Sequence, residues 1–255
     1  MAQVVELLGA PGTGKSTLVG ALDGRTVGGR RLVDVRRLLR VPRRGLPAGA
    51  RGRLLARDLT PAERRRAVAA HAEEWADLVA RIVAARNGPA PDASAGPVRL
   101  LHRLYAPGWV VATLELRALA ERAPDDVVVL IDEGLAQRAT VVCGEDADES
   151  SLAAYLTLLP PTLVHLHLDP VASGDVAAAA DLLAARVTGR GRTIDRHAGL
   201  DGSELTRSLA GDVRSAARIA AALRTVGANV ADVAVTGPVE ASAEHVLRQV
   251  ERAGG

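Results

Sequence analysis

Residues 3–22 read QVVELLGAPGTGKSTLVGAL: an apolar run, a turn built on Gly9, Gly12 and Gly14, and a segment with helical spacing. Val4, Val5, Leu7 and Leu8 describe a short buried strand, while Leu18, Val19 and Leu22 share one helix face. A chain that leaves a buried strand and enters a packed helix within six residues is committed to α/β architecture, because the helix must carry it back before another parallel strand can begin. The same alternation recurs downstream. Strand-like runs begin at Arg31, at Val127 (VVVLI), at Thr162 (TLVHLHLD) and at Asn229 (NVADVAVTG), with helical stretches between them. Five such runs predict a five-stranded parallel sheet with helices on both faces. The chain of 255 residues, 48% apolar and 24% charged, is long enough to close one such domain over a single sheet.

The turn carries chemistry as well as geometry. Gly9-Ala10-Pro11-Gly12-Thr13-Gly14-Lys15-Ser16 fits G-x-x-x-x-G-K-[ST], the P-loop or Walker A pattern, with a strand before it and a helix after it. Glycines let successive N–H groups turn inward around phosphate oxygens, and the helix N-terminus adds positive potential. Lys15 is the only lysine among 32 lysines and arginines. A compact ammonium on a flexible stem reaches back over such a loop, which a planar guanidinium does not. The expected nucleotide-binding set is Gly9, Pro11, Gly12, Thr13, Gly14, Lys15, Ser16 and Thr17, with ATP as cofactor and Ser16 as a ligand of Mg²⁺. Asp132, ending the Val127–Ile131 run, is expected to bind Mg²⁺ directly or through water, and Glu133 is placed to act as a base or to position the nucleophile.

Other features narrow the class. Thr60, Pro61 and Glu63 form a capping-box helix start, and Val68, Trp75, Val79 and Ile82 make an apolar stripe that assigns Trp75 to packing. A second helix is expected from about Val110 to Arg122. The helical stretch from about 45 to 123 interrupts the α/β alternation and reads as an inserted arm within a single domain, 1–255. Net charge is +2 with no Phe, two Tyr and two Trp, so neither a basic footprint nor a stacking platform for nucleic acid is expected. No apolar run reaches 18 residues, so no membrane span is expected. One cysteine, Cys143, and an N-terminus that enters a strand directly point to a cytoplasmic protein. His165 and His167 alternate on one strand without clustered acids or thiols and read as structural.

The C-terminal third, HLDPVASGDVAAAADLLAARVTGRGRTIDRH, orders a strand, a helix and then Arg186, Arg190, Arg192 and Arg196. This resembles the lid of the P-loop nucleoside and nucleotide kinases, the thymidylate kinases in particular. The resemblance implies a lid at about 187–201 whose arginines neutralise the transferring phosphoryl group and exclude water. It also implies that Gly237, Pro238 and Val239 lie near the adenine, with Arg190 opposite, and that the protein forms a homodimer. The match is to a divergent member. The family's Asp-Arg is Asp132-Glu133 here, with Gln137 and Arg138 one turn on. Its base-stacking Phe is missing, which leaves Tyr105 or Trp109 to replace it or to pack the arm. For the acceptor, Asp34, Arg36 and Arg37 follow the second strand at the edge where such folds bind ligands, and read equally as a polar strand end.

The sequence therefore predicts an ATP-dependent kinase that moves the γ-phosphoryl group to a small-molecule acceptor, a nucleoside, nucleotide or related hydroxyl compound. The alternative is an NTPase that couples hydrolysis to a conformational or regulatory role with a protein partner. Asp-Glu at the strand end favours it; the lack of an LSGGQ-like signature and of a separate helical domain after the sheet does not. A protein that only senses nucleotide would need neither the acid pair nor the lid arginines.

Overall fold

The computed structural model describes residues 3–42, 56–87, 97–170, 174–189, 197 and 200–254. β1 (Gln3–Leu8) passes through the glycine turn into α1 (Lys15–Leu22), then a hairpin of β2 (Thr26–Val27) and β3 (Arg30–Asp34) follows. A 3-10 turn at Val35–Leu39 leads to β4 (Arg40–Pro42), which pairs antiparallel with β5 (Ala56–Asp58) outside the main sheet. Next come α2 (Pro61–Ala69), α3 (Ala76–Arg86), α4 (Pro97–Ala120) and β6 (Val127–Ile131). A second 3-10 turn, Ala136–Arg138, precedes α5 (Ala139–Cys143), α6 (Glu149–Leu156) and β7 (Val164–Asp169). The chain closes with α7 (Val176–Gly189), α8 (Gly202–Thr225), β8 (Val230–Ala234) and α9 (Val239–Gly254).

The main sheet has the order β2-β3-β6-β1-β7-β8. Five strands are parallel as expected, and the sixth corrects the count: β2 adds an antiparallel edge to β3. Gly28 and Gly29, at φ 54° and 77°, make the two-residue turn whose twist suits a hairpin. A two-residue strand is too short to leave an alternating pattern, so only the Gly-Gly pair announces it.

Both faces of the sheet are covered, and β6 is accordingly apolar throughout, while β1 carries Glu6 and β7 sets His165 and His167 between Val164, Leu166 and Leu168. On one face Val5, Leu7, Val128, Leu130, Leu166 and Leu168 pack against Leu18, Val19 and Leu22 of α1 and Val246 and Val250 of α9. On the other, Val4, Val129 and Ile131 meet Ala120 and Ala123, at and just beyond the end of α4. A larger cluster beside them joins Leu8 to α2, α3, α4, α5, α6 and α8. Segment 61–120 thus shares its core with the helices that follow β6, through Trp75, Leu78, Ile82, Val110, Leu114 and Ala118.

Helix boundaries follow the expected caps better than the expected lengths. Thr60 accepts from the Glu63 N–H while the Glu63 carboxylate bonds back to Thr60, the reciprocal box that starts α2. The helix then stops at Ala69, and a turn in which His71 stacks on Trp75 at 4.4 Å separates it from α3. Trp75 is buried. The helix expected from Val110 instead starts at Pro97 and runs through Pro107. Proline removes one backbone donor, a loss that a 24-residue helix packed along the sheet absorbs.

Connections leave β1 and β7 in opposite directions. α1 carries the chain from β1 toward β3, and α7 and α8 carry it from β7 to β8 on the far side. The crevice at the carboxyl ends of β1 and β7 is where open α/β sheets take ligands. The glycine turn lies there.

Candidate functional site

Backbone geometry of the turn follows from its glycines. Gly12 and Gly14 hold φ of 84° and 91°, a region that L side chains rarely adopt. Gly9 is constrained by space: a Cβ there would meet Thr13 Oγ1 at 3.0 Å and the Leu168 carbonyl oxygen at 3.2 Å. The turn is therefore pressed against β7. At its start the Gly9 N–H donates to Gln137 Oε1 at 2.9 Å, and Thr13 Oγ1 donates to the Ala10 carbonyl at 2.8 Å.

Lys15 opens α1 but folds back over the loop. Its ammonium donates to the carbonyl oxygens of Gly9 at 2.6 Å and Ala10 at 3.1 Å, and lies 4.0 Å from Glu133 Oε1. Burial pushes the Lys15 amine below its ordinary value, opposed by the carboxylates of Glu133, Asp132 and Asp212. The next residue, Ser16, donates through Oγ to Asp132 Oδ2 at 2.9 Å, across the gap between α1 and the end of β6. Asp132 is 7% exposed, so its charge needs a partner, and Arg36 supplies it at 2.5 Å. Glu133 is half exposed and bonds Arg138 at 2.9 Å; Arg138 in turn donates to Thr113 of α4 at 3.1 Å.

Beneath this turn lies a buried ionic group that sequence pattern does not reveal. Glu6 points from β1 toward α4, where Arg117 Nη1 approaches it at 3.3 Å and His165 Nδ1 lies 3.7 Å away. Arg117 also pairs with Glu121 at 2.7 Å and donates to Thr162 and the Pro161 carbonyl. Gly134 directly follows the acid pair, and a Cβ on it would stand 2.2 Å from the Glu6 carboxylate. Burial pushes the His165 imidazole down, with Glu6 working against it. Tyr155 donates to the Leu135 carbonyl at 2.9 Å, and burial drives its phenol far up.

A cavity of about 660 Å³ opens on the loop. Gly9, Pro11 and Lys15 form one end, Glu133, Gln137 and Arg138 the floor, and Trp109 of α4 part of a wall. The opposite wall is the polar face of α8, with Arg207, Gly211, Asp212, Arg214 and Arg218. Arg218 donates to the carbonyls of Glu145 and Ala147, which tie α8 to the loop after α5. His197, fully buried, lies 3.2 Å from both Asp212 Oδ2 and Ser208 Oγ and fixes the chain entering α8.

The sequence-predicted residues divide accordingly. Gly9, Pro11, Lys15, Glu133, Arg138 and Trp109 gather around the cavity, with Ser16 and Asp132 bonded to each other beside it. Asp34, Arg36 and Arg37 do not line it: Arg37 pairs with Asp23, and Asp34 accepts from the Arg36 N–H. Arg186 donates from the last turn of α7 to the Val235 carbonyl at 3.3 Å, which ties that helix to the strand end preceding Gly237 and Pro238. Gly237, Pro238 and Val239 form the entry to α9 and are not among the cavity residues. Arg190, Arg192 and Arg196 lie outside the described residues, as does the side chain of Tyr105 within α4. Missed by sequence reading is the α8 wall. Its spacing at 207, 211, 214 and 218 was visible, but it is also the spacing of any solvated helix face.

His165 and His167 serve the fold, His167 through a 2.8 Å contact to Asp232. Cys143 is half-buried, donates to the Ser151 carbonyl at 3.6 Å, and its thiol is pushed up by burial. Among the described residues no helix is long and apolar enough to cross a membrane. A scan against protein-family models and a search of curated proteins both find no match to the chain.

Proposed function

We propose that this protein is an ATP-dependent phosphotransferase of the P-loop NTPase fold, a divergent thymidylate-kinase-like enzyme that phosphorylates a small-molecule hydroxyl. One observation carries the reading. A glycine turn at positive φ, a back-folded Lys15 and the Ser16–Asp132 pair converge at the sheet's ligand edge, and a cavity sized for a small molecule opens on them.

The residues fit the groups this reading implies. Ser16 Oγ and Asp132 Oδ2 are hard oxygen donors 2.9 Å apart, suited to Mg²⁺, which when bound would neutralise phosphate charge. Lys15 already places its ammonium over the loop, and exchanging carbonyl partners for phosphate oxygens strengthens its bonds. Glu133 receives the acceptor's proton as the hydroxyl oxygen bonds to the γ-phosphorus and the bond to the departing ADP oxygen breaks. Arg138 bonds that carboxylate and aims it. The acceptor occupies the cavity between α4, α5 and α8, in line with the loop. A cytoplasmic location and a homodimer accompany this reading.

The test is to incubate purified protein with ATP, Mg²⁺ and a panel of nucleosides, nucleotides, sugars and aminoglycosides, following ADP and acceptor mass. ADP formed only with one acceptor, which gains about 80 Da as one phosphoryl group, establishes the kinase. Steady ADP with every acceptor unmodified replaces it with the hydrolase reading.

A further inference from the structure

Asp132 Oδ2 accepts two bonds at once, from Ser16 Oγ at 2.9 Å and from Arg36 at 2.5 Å. The second follows from the sheet. β3 and β6 pair in parallel as far as Asp34 opposite Leu130, so the 3-10 turn that follows β3 begins beside the end of β6, with Arg36 as its second residue. The Arg36 backbone is held by its N–H bond to Asp34 Oδ1 at 2.9 Å, and its neighbour Arg37 is anchored on Asp23. The Arg36 side chain is 56% exposed, so it can swing away at little cost in packing.

With Ser16 and Arg36 both on Oδ2, the two lone pairs of that oxygen are in use, so a divalent cation that binds there displaces the guanidinium. Both are positive, and the charge-assisted bond uses the lone pairs the metal requires. We propose that Arg36 is a removable counter-ion of the metal site, which balances Asp132 until a divalent cation displaces it. This rests on the nucleotide-binding reading of the loop. Arg36 keeps a nearly buried carboxylate compensated before metal enters, and its departure frees one guanidinium at the site in the same step that a metal–nucleotide complex arrives. Metal occupancy and the position of Arg36 are thereby coupled, and the cost of expelling Arg36 sets how tightly the metal is held.

The test measures Mn²⁺ binding by the loss of its free paramagnetic resonance signal, with ADP present, so that no turnover is needed. ADP binding is measured separately, with and without metal. Removing the competing cation in Arg36→Gln should tighten Mn²⁺ by about two- to fivefold, the scale of a half-exposed ion pair. Arg36→Lys, which keeps a charge but not the planar fork, should fall between wild type and Arg36→Gln, and Asp132→Asn should lose the site. Mn²⁺ affinity unchanged or weaker in Arg36→Gln, with wild type binding Mn²⁺ and ADP, overturns the proposal and leaves the nucleotide site standing. Failure of wild type to bind ADP with or without metal overturns both.

Discussion

Lys15 and Gly134 show how single positions are fixed here by different physics. Lys15 is held by reach: its ammonium must bend back to two carbonyl oxygens within a site where it is 8% exposed. Lys15→Arg keeps the charge but brings a larger planar head into that space, so we expect ADP or ATP affinity to fall about ten- to a hundredfold by titration calorimetry while the circular dichroism spectrum is unchanged. Gly134 is held by volume, because Glu6 fills the place its Cβ would take. Gly134→Ala should lower the denaturation free energy by about 2 kcal/mol or more, read from chemical unfolding, as the buried Glu6–Arg117 pair is forced apart.

At the scale of elements, β1, β7 and α4 are joined by polar groups inside an apolar core. Glu6, His165 and Arg117 come one from each, and the pairing sets how these elements sit under the Asp132–Glu133 turn. His165 faces the Glu6 carboxylate and the Arg117 guanidinium, and burial holds its pKa below the ordinary 6.5. The unfolded chain therefore binds a proton there more readily than the folded one. Stability contributed by the neutral imidazole is present above about pH 6.5 and is lost as pH falls below it, with a slope approaching about 1.4 kcal/mol per pH unit for one proton. Urea unfolding of wild type and His165→Gln between pH 5 and 7.5, roughly the range of histidine titration, should show this part of the slope only in wild type.

For the whole molecule, the cavity exists because α8, packed against α6, α7, β7 and the turn after β6, sets its polar face toward α4 and α5. Gly211 lies on that wall with no atom within 4 Å of where its Cβ would be. Gly211→Phe should therefore fill the cavity without disturbing the loop, and a better helix former there should not lower stability. We expect acceptor-dependent ADP formation to drop on the order of tenfold or more, with ADP affinity within about twofold of wild type. An equal loss of both would place the nucleotide, not the acceptor, against α8.

Local physics determined the loop, its flanking strand and helix, the Thr60 cap and the five parallel strands. Each of these is written by periodicity, by glycine at a required φ, or by a side-chain oxygen three residues from an N–H. The length of α4 through Pro107, the break before Trp75 and the β2 edge were decided by packing over the sheet, which outweighs propensity in short or interrupted segments. The same holds for the site. Lys15, Ser16, Asp132 and Glu133 were legible because their chemistry is tied to a contiguous motif and a strand end. Arg36 on Asp132 depends on the register of two strands nearly a hundred residues apart in sequence, and the arginines of α8 on which way a helix faces. Only the folded sheet brings those charges to one place, because Coulomb attraction and cavity shape act through space and leave no period in the chain.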